Sequence, residues 1–247
     1  MKRMNIHFQR NIKAAVCRLV PVVLIVLSLP LLAQAQGLKS IRLNEPDKKR
    51  GLPFMEALSV KASALEWSEK ELSLQDLSDM VWAANGINRP ESRKYTASSA
   101  LNAHDIDLYL FMKEGVYIYD ADNHTLKGVL DGDFRSHVMM LPLSRPGDAE
   151  RPPPPPRPVL SDPPVQIILI SDFSRFRFGT KEQKYEWGAI DAGIVSQNIS
   201  LFCAATGIKT RPRALMDKEK IKKILNLKET QYIFLNHPVG YARAAVN

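Results

Sequence analysis

The chain's strongest local instruction lies between Ile106 and Asp120. Ile106, Leu108, Leu110 and Met112 fall on one face at period two, Lys113-Glu114-Gly115 interrupts them, and Val116 and Ile118 start a second alternation. This spacing predicts a β-hairpin. The stretch ahead of it, from Lys94 to Asp105, is polar and rich in small residues, a loop that can lie against a ligand.

Around the hairpin the remaining signals are mostly local. Pro53 opens a short helix over 54–60, as proline is tolerated in a first turn. Ser73 can cap a helix in which Leu74, Leu77, Val81 and Ala84 recur at helical spacing, with Gly86 as its stop. Asn123-His124 marks a tight turn, and 126–130 reads as a short strand. Residues 165–170 are apolar except for Gln166, which predicts a buried central strand. The longest helix is expected over 181–206, ending at Gly207. Trp187, Ile190, Ile194, Val195, Leu201, Phe202 and Ala205 make it a core helix, apolar around much of its circumference. Asp217 caps a helix reaching Leu227 with Lys220, Lys222 and Lys223 on its wet side, and 231–235 forms a last strand out of which 236–241 turns. Strands and helices mix without regular βαβ alternation, so the fold class is α+β.

Three segments follow from composition. Residues 1–35 read as a secretion signal: Lys2, Arg3, Arg10, Lys13 and Arg18 without an acid, an apolar run over 19–32, then Ala33-Gln34-Ala35. Export to the periplasm, with no stable membrane insertion after cleavage, is the expectation. Residues 36–52 read as an extended arm, and 53–247 as one domain carrying a proline-rich loop at 151–164, whose Arg151–Pro158 run favours polyproline II. The leader holds five of the 34 basic residues and none of the 26 acids, leaving 29 against 26, or +3. That balance gives no case for nucleic-acid binding. Cys203 is the one cysteine beyond the leader, so packing alone must hold the domain. His124 and His237 are expected in turns with no second ligand at metal spacing, His104 at a strand edge, and Asp191 as a buried carboxylate serving helix packing. No glycine-rich nucleotide motif and no nucleophile elbow is present.

Four separated segments resemble the nitroreductase-type flavoproteins, and within them the branch that includes the azoline-oxidising dehydrogenases of peptide maturation. They are Leu-Ser-Leu-Gln-Asp-Leu-Ser-Asp-Met-Val-Trp at 72–82 and the following Ala-Ala-Asn-Gly-Ile-Asn-Arg, Ser-Ala-Leu-Asn-Ala at 99–103 with its hairpin, Asp-Ala-Gly-Ile-Val-Ser-Gln-Asn-Ile-Ser at 191–200, and Asn-His-Pro-Val-Gly-Tyr at 236–241. The resemblance implies an antiparallel-rich sheet packed by helices, one of them long, in a homodimer that holds FMN at its interface. It also implies hydride transfer from NAD(P)H or another reductant to a nitro, quinone or similar acceptor. The flavin carries the hydride, so no side-chain catalyst and no metal is expected.

By the same resemblance, Lys61 and Ser63 would meet the FMN phosphate, Ser99 and Asn102 would reach the flavin of the partner subunit, Arg213 would lie near the ring, and Arg243 would return to the phosphate. The family's Arg-Arg-Ser-x-Arg-like segment reads Lys61-Ala62-Ser63-Ala64-Leu65 here, so two arginines are missing. Two alternatives stay open: a flavin-less member serving as an envelope ligand-binding or structural protein, and an azoline-type peptide oxidase.

Overall fold

In a computed structural model the described residues are 37–138 and 163–243. The leader and the proline run therefore lie outside them. The order of elements is β1 (Ile41–Arg42), α1 (Phe54–Val60), α2 (Leu74–Asn85), β2 (Ile87–Arg89), β3 (Lys94–Tyr95), β4 (Ile106–Phe111), β5 (Gly115–Asp120), β6 (Thr125–Asp131), β7 (Val165–Asp172), α3 (Lys181–Thr206), β8 (Lys209–Thr210), α4 (Lys218–Ile224) and β9 (Gln231–Gly240). Seven strands form one antiparallel sheet in the order β1-β6-β5-β4-β7-β9-β8, and β2 pairs with β3 beside it. The α+β expectation holds.

Period two in the sequence becomes two faces of the sheet. Ile106, Leu108 and Leu110 of β4 join Val165, Ile167 and Leu169 of β7 under α2 and α3. Tyr109, Phe111, Ile168 and Ile170 face the other way, toward Met216, Ile221 and Leu227 around α4. β7 is buried along its whole length because it has a long ladder on each edge and a packed layer on each face.

Several caps stand where local chemistry puts them. The Ser73 hydroxyl accepts from the Asp76 N–H, the Asp217 carboxylate from the Lys220 N–H, and Gly207 closes α3 at φ 77°. Gly86 stops α2 for a different reason. Its backbone is extended, and a Cβ would lie 2.5 Å from the Trp82 ring, so close approach rather than a left-handed turn selects glycine. α4 ends at Ile224, short of Leu227, because Asn226 turns left-handed at φ 48°.

Two expectations need correction. The last strand runs through Gly240, so Asn236-His237-Pro238-Val239 is ladder, paired with Gln166, Ile167 and their neighbours on β7. Pro238 is tolerated because its carbonyl accepts from the Thr210 hydroxyl at 3.0 Å. In a strand N–H and C=O of one residue face the same neighbour, so the missing donor falls on the two-residue β8 and not on β7.

The second correction concerns α3. Its sheet-facing stripe sets small and polar residues, Gly188, Asp191, Ala192, Ser196, Ser200 and Cys203, around Val195 and Ile199. Ile190 is 55% exposed, and Ile194, Leu201 and Phe202 are only half-buried. Close seating on the sheet explains the stripe. A Cβ on Gly188 would lie 2.7 Å from the Ser171 hydroxyl and 3.1 Å from both Phe173 and Phe234. Gly188→Ala is therefore expected to lose about 1–3 kcal/mol to overpacking while regaining about 1 kcal/mol of helix propensity. The urea midpoint should fall; a midpoint at or above wild type would contradict this seating.

Candidate functional site

The segment after α1 leaves the helix at Lys61 and crosses the C-terminal turn of α3. Its Ala64 N–H donates to the Thr210 carbonyl at 2.9 Å, which adds it beside β8. Between this segment, the end of α3, β8 and Ala242-Arg243 lies a cleft of about 730 Å³. One wall is apolar, with Leu52, Val60 and Ala204. Ser63, Lys209, Thr210 and Arg243 supply hydroxyl and cationic groups, and Glu66 is the one acid in the lining. The volume is in the range of small-molecule and cofactor sites. The C-terminal end of α3, Thr206-Gly207, borders the cleft and carries the negative end of the helix dipole. An anionic group entering here is therefore steered to the side of Arg243 and Ser63.

Of the six residues singled out in the sequence, Ser63 and Arg243 line this cleft together, and Lys61 lies exposed at the start of the same segment. Ala62 and Leu65 also line it, where they bring neither charge nor donor. Arg213 is one layer behind. Its guanidinium lies 5.6 Å from the centre of the Trp67 ring, and the Trp67 indole N–H donates to the Lys209 carbonyl at 3.1 Å. Burial, helped by the Arg211 charge, lowers the Arg213 pKa.

Ser99 and Asn102 are not brought to this cleft within one chain. Their loop is bonded to Asp191, while the cleft begins at Ser200. Those positions are nine residues apart on α3, about 14 Å along its axis. The loop is tightly built. The Ser99 hydroxyl accepts from the His104 N–H at 2.9 Å, Asn102 accepts from the Lys94 ammonium, and Tyr95 stacks on His104 at 4.1 Å. Leu101, Asn102 and His104 all have positive φ, near 50°.

Under the cleft floor is a group that the sequence reading misplaced. His237 is buried in β9, its Nε2 2.8 Å from the Ser196 hydroxyl and its Nδ1 3.1 Å from the Thr210 hydroxyl. Thr210 already donates to the Pro238 carbonyl, so Nδ1 carries the proton and Nε2 accepts from Ser196. Burial, with the nearby Lys61 charge, pushes the imidazole down to about 3, so it is neutral. It ties β9, α3 and β8 together below Thr210. Nothing in a lone His-Pro pair signals this; only continuing the strand through Pro238 reveals it. His237→Phe keeps the bulk but leaves the buried Ser196 hydroxyl without its acceptor and takes a donor from Thr210, at an expected loss of about 2 kcal/mol in chemical unfolding. An unchanged unfolding midpoint would contradict the network. Among the described residues no cluster of His, Cys, Asp or Glu could hold a metal, and no helix is long and apolar enough to cross a membrane.

Residues 66–241, well over half of the chain, match the model of the nitroreductase family. A protein of Ralstonia eutropha JMP134 named as a nitroreductase superposes with a TM-score of 0.73 at 25% identity, covering 84% of this chain and 91% of its own. The Escherichia coli microcin synthetase complex McbBCD, with truncated pro-MccB17 bound, contains a chain similar in fold at TM-score 0.60 and 18% identity, over 88% and 84% of the two chains. A nitroreductase family protein of Clostridium difficile 630 follows at 0.52 and 13%, over 79% and 88%. No curated protein sequence matches the chain. The match spans all four of the resembling segments, and the chain belongs to the nitroreductase family.

Proposed function

We propose that the protein is an exported, homodimeric FMN-dependent oxidoreductase, taking reducing equivalents from NAD(P)H or another reductant and passing them to a nitro, quinone or similar acceptor. The observation that carries this reading is the convergence of Ser63, Thr210 and Arg243 on a cleft of about 730 Å³ in a chain of this family. The residues present fit the cofactor. A flat ring system suits the apolar wall, hydroxyls suit a polyol chain, and Arg243 suits a phosphate, with exposed Lys61 at the start of the Ser63 segment as a second cation. FMN, when bound, supplies hydride transfer at its N5. The chain's own residues then bind and orient it. Arg243, with Lys61 from the start of the Ser63 segment, would hold charge at the phosphate end and Ser63 would donate beside it, while neutral His237 keeps the Thr210 hydroxyl fixed in the floor.

Dimerisation supplies what one chain lacks. Phe54 is 64% and Met55 74% exposed on α1, next to half-buried Leu201 and Phe202 of α3. Such an apolar face is suited to a second copy. The loop with Ser99 and Asn102 would then reach the partner's cleft. Complementation tests this. Asn102→Ala and Arg243→Ala should each weaken FMN binding. After the two are mixed and allowed to exchange subunits, about a quarter of the sites should regain wild-type affinity, because half the dimers are mixed and each has one intact site. No recovery on mixing would place both residues on one chain's own site.

The second reading, a member without flavin acting as an envelope ligand-binding protein, is favoured by one observation: Ala62 and Leu65 face the cleft with no donor.

A further inference from the structure

Asp105 and Asp191 are 0% and 2% exposed, and their carboxyl groups lie within hydrogen-bond reach of each other. Asp191 accepts the Ala100 N–H on both oxygens, at 3.1 and 2.8 Å. Asp105 accepts from the Ser171 hydroxyl on Oδ2, while its Oδ1 is buried with no donor to meet it. Two bare carboxylates cannot face each other in such a place. A proton on Asp105 Oδ1, donated to Asp191, satisfies every one of these atoms. Burial, then the Asp191 charge, raises the Asp105 carboxyl to about 7, against the Ser171 bond. Arg175, a cation whose charge reaches Asp105, makes its bonds elsewhere. It is committed to Asp107 at 2.7 Å and to the His104 carbonyl at 2.7 Å, Asp107 and Asp172 are further acids, and Lys94 is held by Asn102. His104 is driven toward its neutral form by burial and by Lys94 and Arg93.

What hangs on this pair is the loop from Ser99 to His104. Three residues with left-handed backbone cost on the order of 1–2 kcal/mol each, so the loop keeps its shape only where something holds it. We propose that Asp105 and Asp191 share one proton and that this carboxyl–carboxylate pair is the clamp that holds the Asn102 loop in its left-handed form, making both acids positioning residues for Asn102. The sign follows from linkage. A carboxyl whose folded value is raised favours the clamped state fully only below the usual carboxylate value, and that contribution is lost progressively as pH rises from there to about 7. With both groups ionised, repulsion parts them and takes Ala100 off Asp191. That Asn102 then meets a flavin rests on the proposed function; the clamp does not.

The test is amide hydrogen exchange of the 99–104 segment in the FMN-free full chain, wild type against Asp105→Asn, across pH. The asparagine amide donates to Asp191 without a titrating proton, so its loop stays clamped. Relative to that variant, wild-type protection should fall by about tenfold per pH unit between the usual carboxylate value and about 7, and level off above. Parallel profiles would overturn the clamp. Should Asp105→Asn not fold, infrared spectroscopy of the wild type decides. A protonated carboxylic-acid band at pH about 6, lost above neutral, supports the shared proton, and no such band overturns it. Because no flavin is present, a protein that never binds FMN can still pass, and one that binds FMN can still fail.

Discussion

Arg50→Ala will destabilise the fold by about 3 kcal/mol, a large part of a typical domain's 5–15 kcal/mol. Arg50 ends the segment before α1, and its guanidinium bridges two acids of α2, Asp76 at 2.6 Å and Asp79 at 2.7 Å. The Asp79 side chain is 3% exposed and Arg50 26%, so the loss belongs at the lower end of the range for a broken buried pair. The rest of the segment shares this attachment. The Asp47 N–H donates to Asp79 at 2.8 Å, the Asn44 N–H to the Ser78 hydroxyl at 2.9 Å, and the Leu52 N–H to the Ala205 carbonyl at 2.9 Å. Burial raises the Asp76 pKa, but bonds from Ser73, Tyr241 and Arg50 outweigh it and the net direction is down. Stability from Asp76 is thus present above the usual carboxylate value and lost as pH falls through its lowered one. The difference between wild type and Arg50→Ala should accordingly shrink in acid. Equal denaturant midpoints near neutral pH would show that the bridge contributes nothing. The effect reaches function, since Tyr241 donates to Asp76 two residues before Arg243 enters the cleft.

Adding the missing arginines will tighten FMN binding. Ala62 and Leu65 both line the cleft, on the segment that carries Lys61 and Ser63. One charge-assisted hydrogen bond to a phosphate is worth about 1.5–3 kcal/mol, or about 10- to 100-fold in Kd. Ala62→Arg should give a gain of that size in fluorescence titration with FMN, and Leu65→Arg a second one. Riboflavin, which lacks the phosphate, should gain from neither. An equal gain for riboflavin would place the new side chains elsewhere on the ligand. If binding appears only in the substituted proteins, the natural chain is of the flavin-less kind.

What the sequence disclosed was what short-range chemistry controls. The alternation over 106–118 assigned both faces of the hairpin, and Ser73, Asp217 and Gly207 set helix ends through bonds made within a turn. The misreadings have the opposite character. β9 looked finished at Leu235 because polar Asn236-His237 and Pro238 break the apolar run, yet all three pair with β7 and are buried there. The core side of α3 was hidden because its close approach to the sheet selects Gly188, Ala192 and Ser196, not the large apolar residues that a helical pattern highlights. Asp105 and Asp191 are 86 positions apart, and no local pattern joins them. In the cleft, Ser63 and Arg243 were legible by resemblance. Lys209 and Thr210 were not, because their place depends on a two-residue strand closing the sheet edge.

The central claim is that the cleft between the Lys61 segment, the end of α3 and Arg243 holds FMN. The direct measurement is an absorbance spectrum of the protein after FMN is added and the sample desalted, taken beside its sedimentation profile. The account predicts a dimer that keeps bands near ~370 and ~450 nm, the mark of a flavin that the protein positions. A colourless, folded dimer would contradict it.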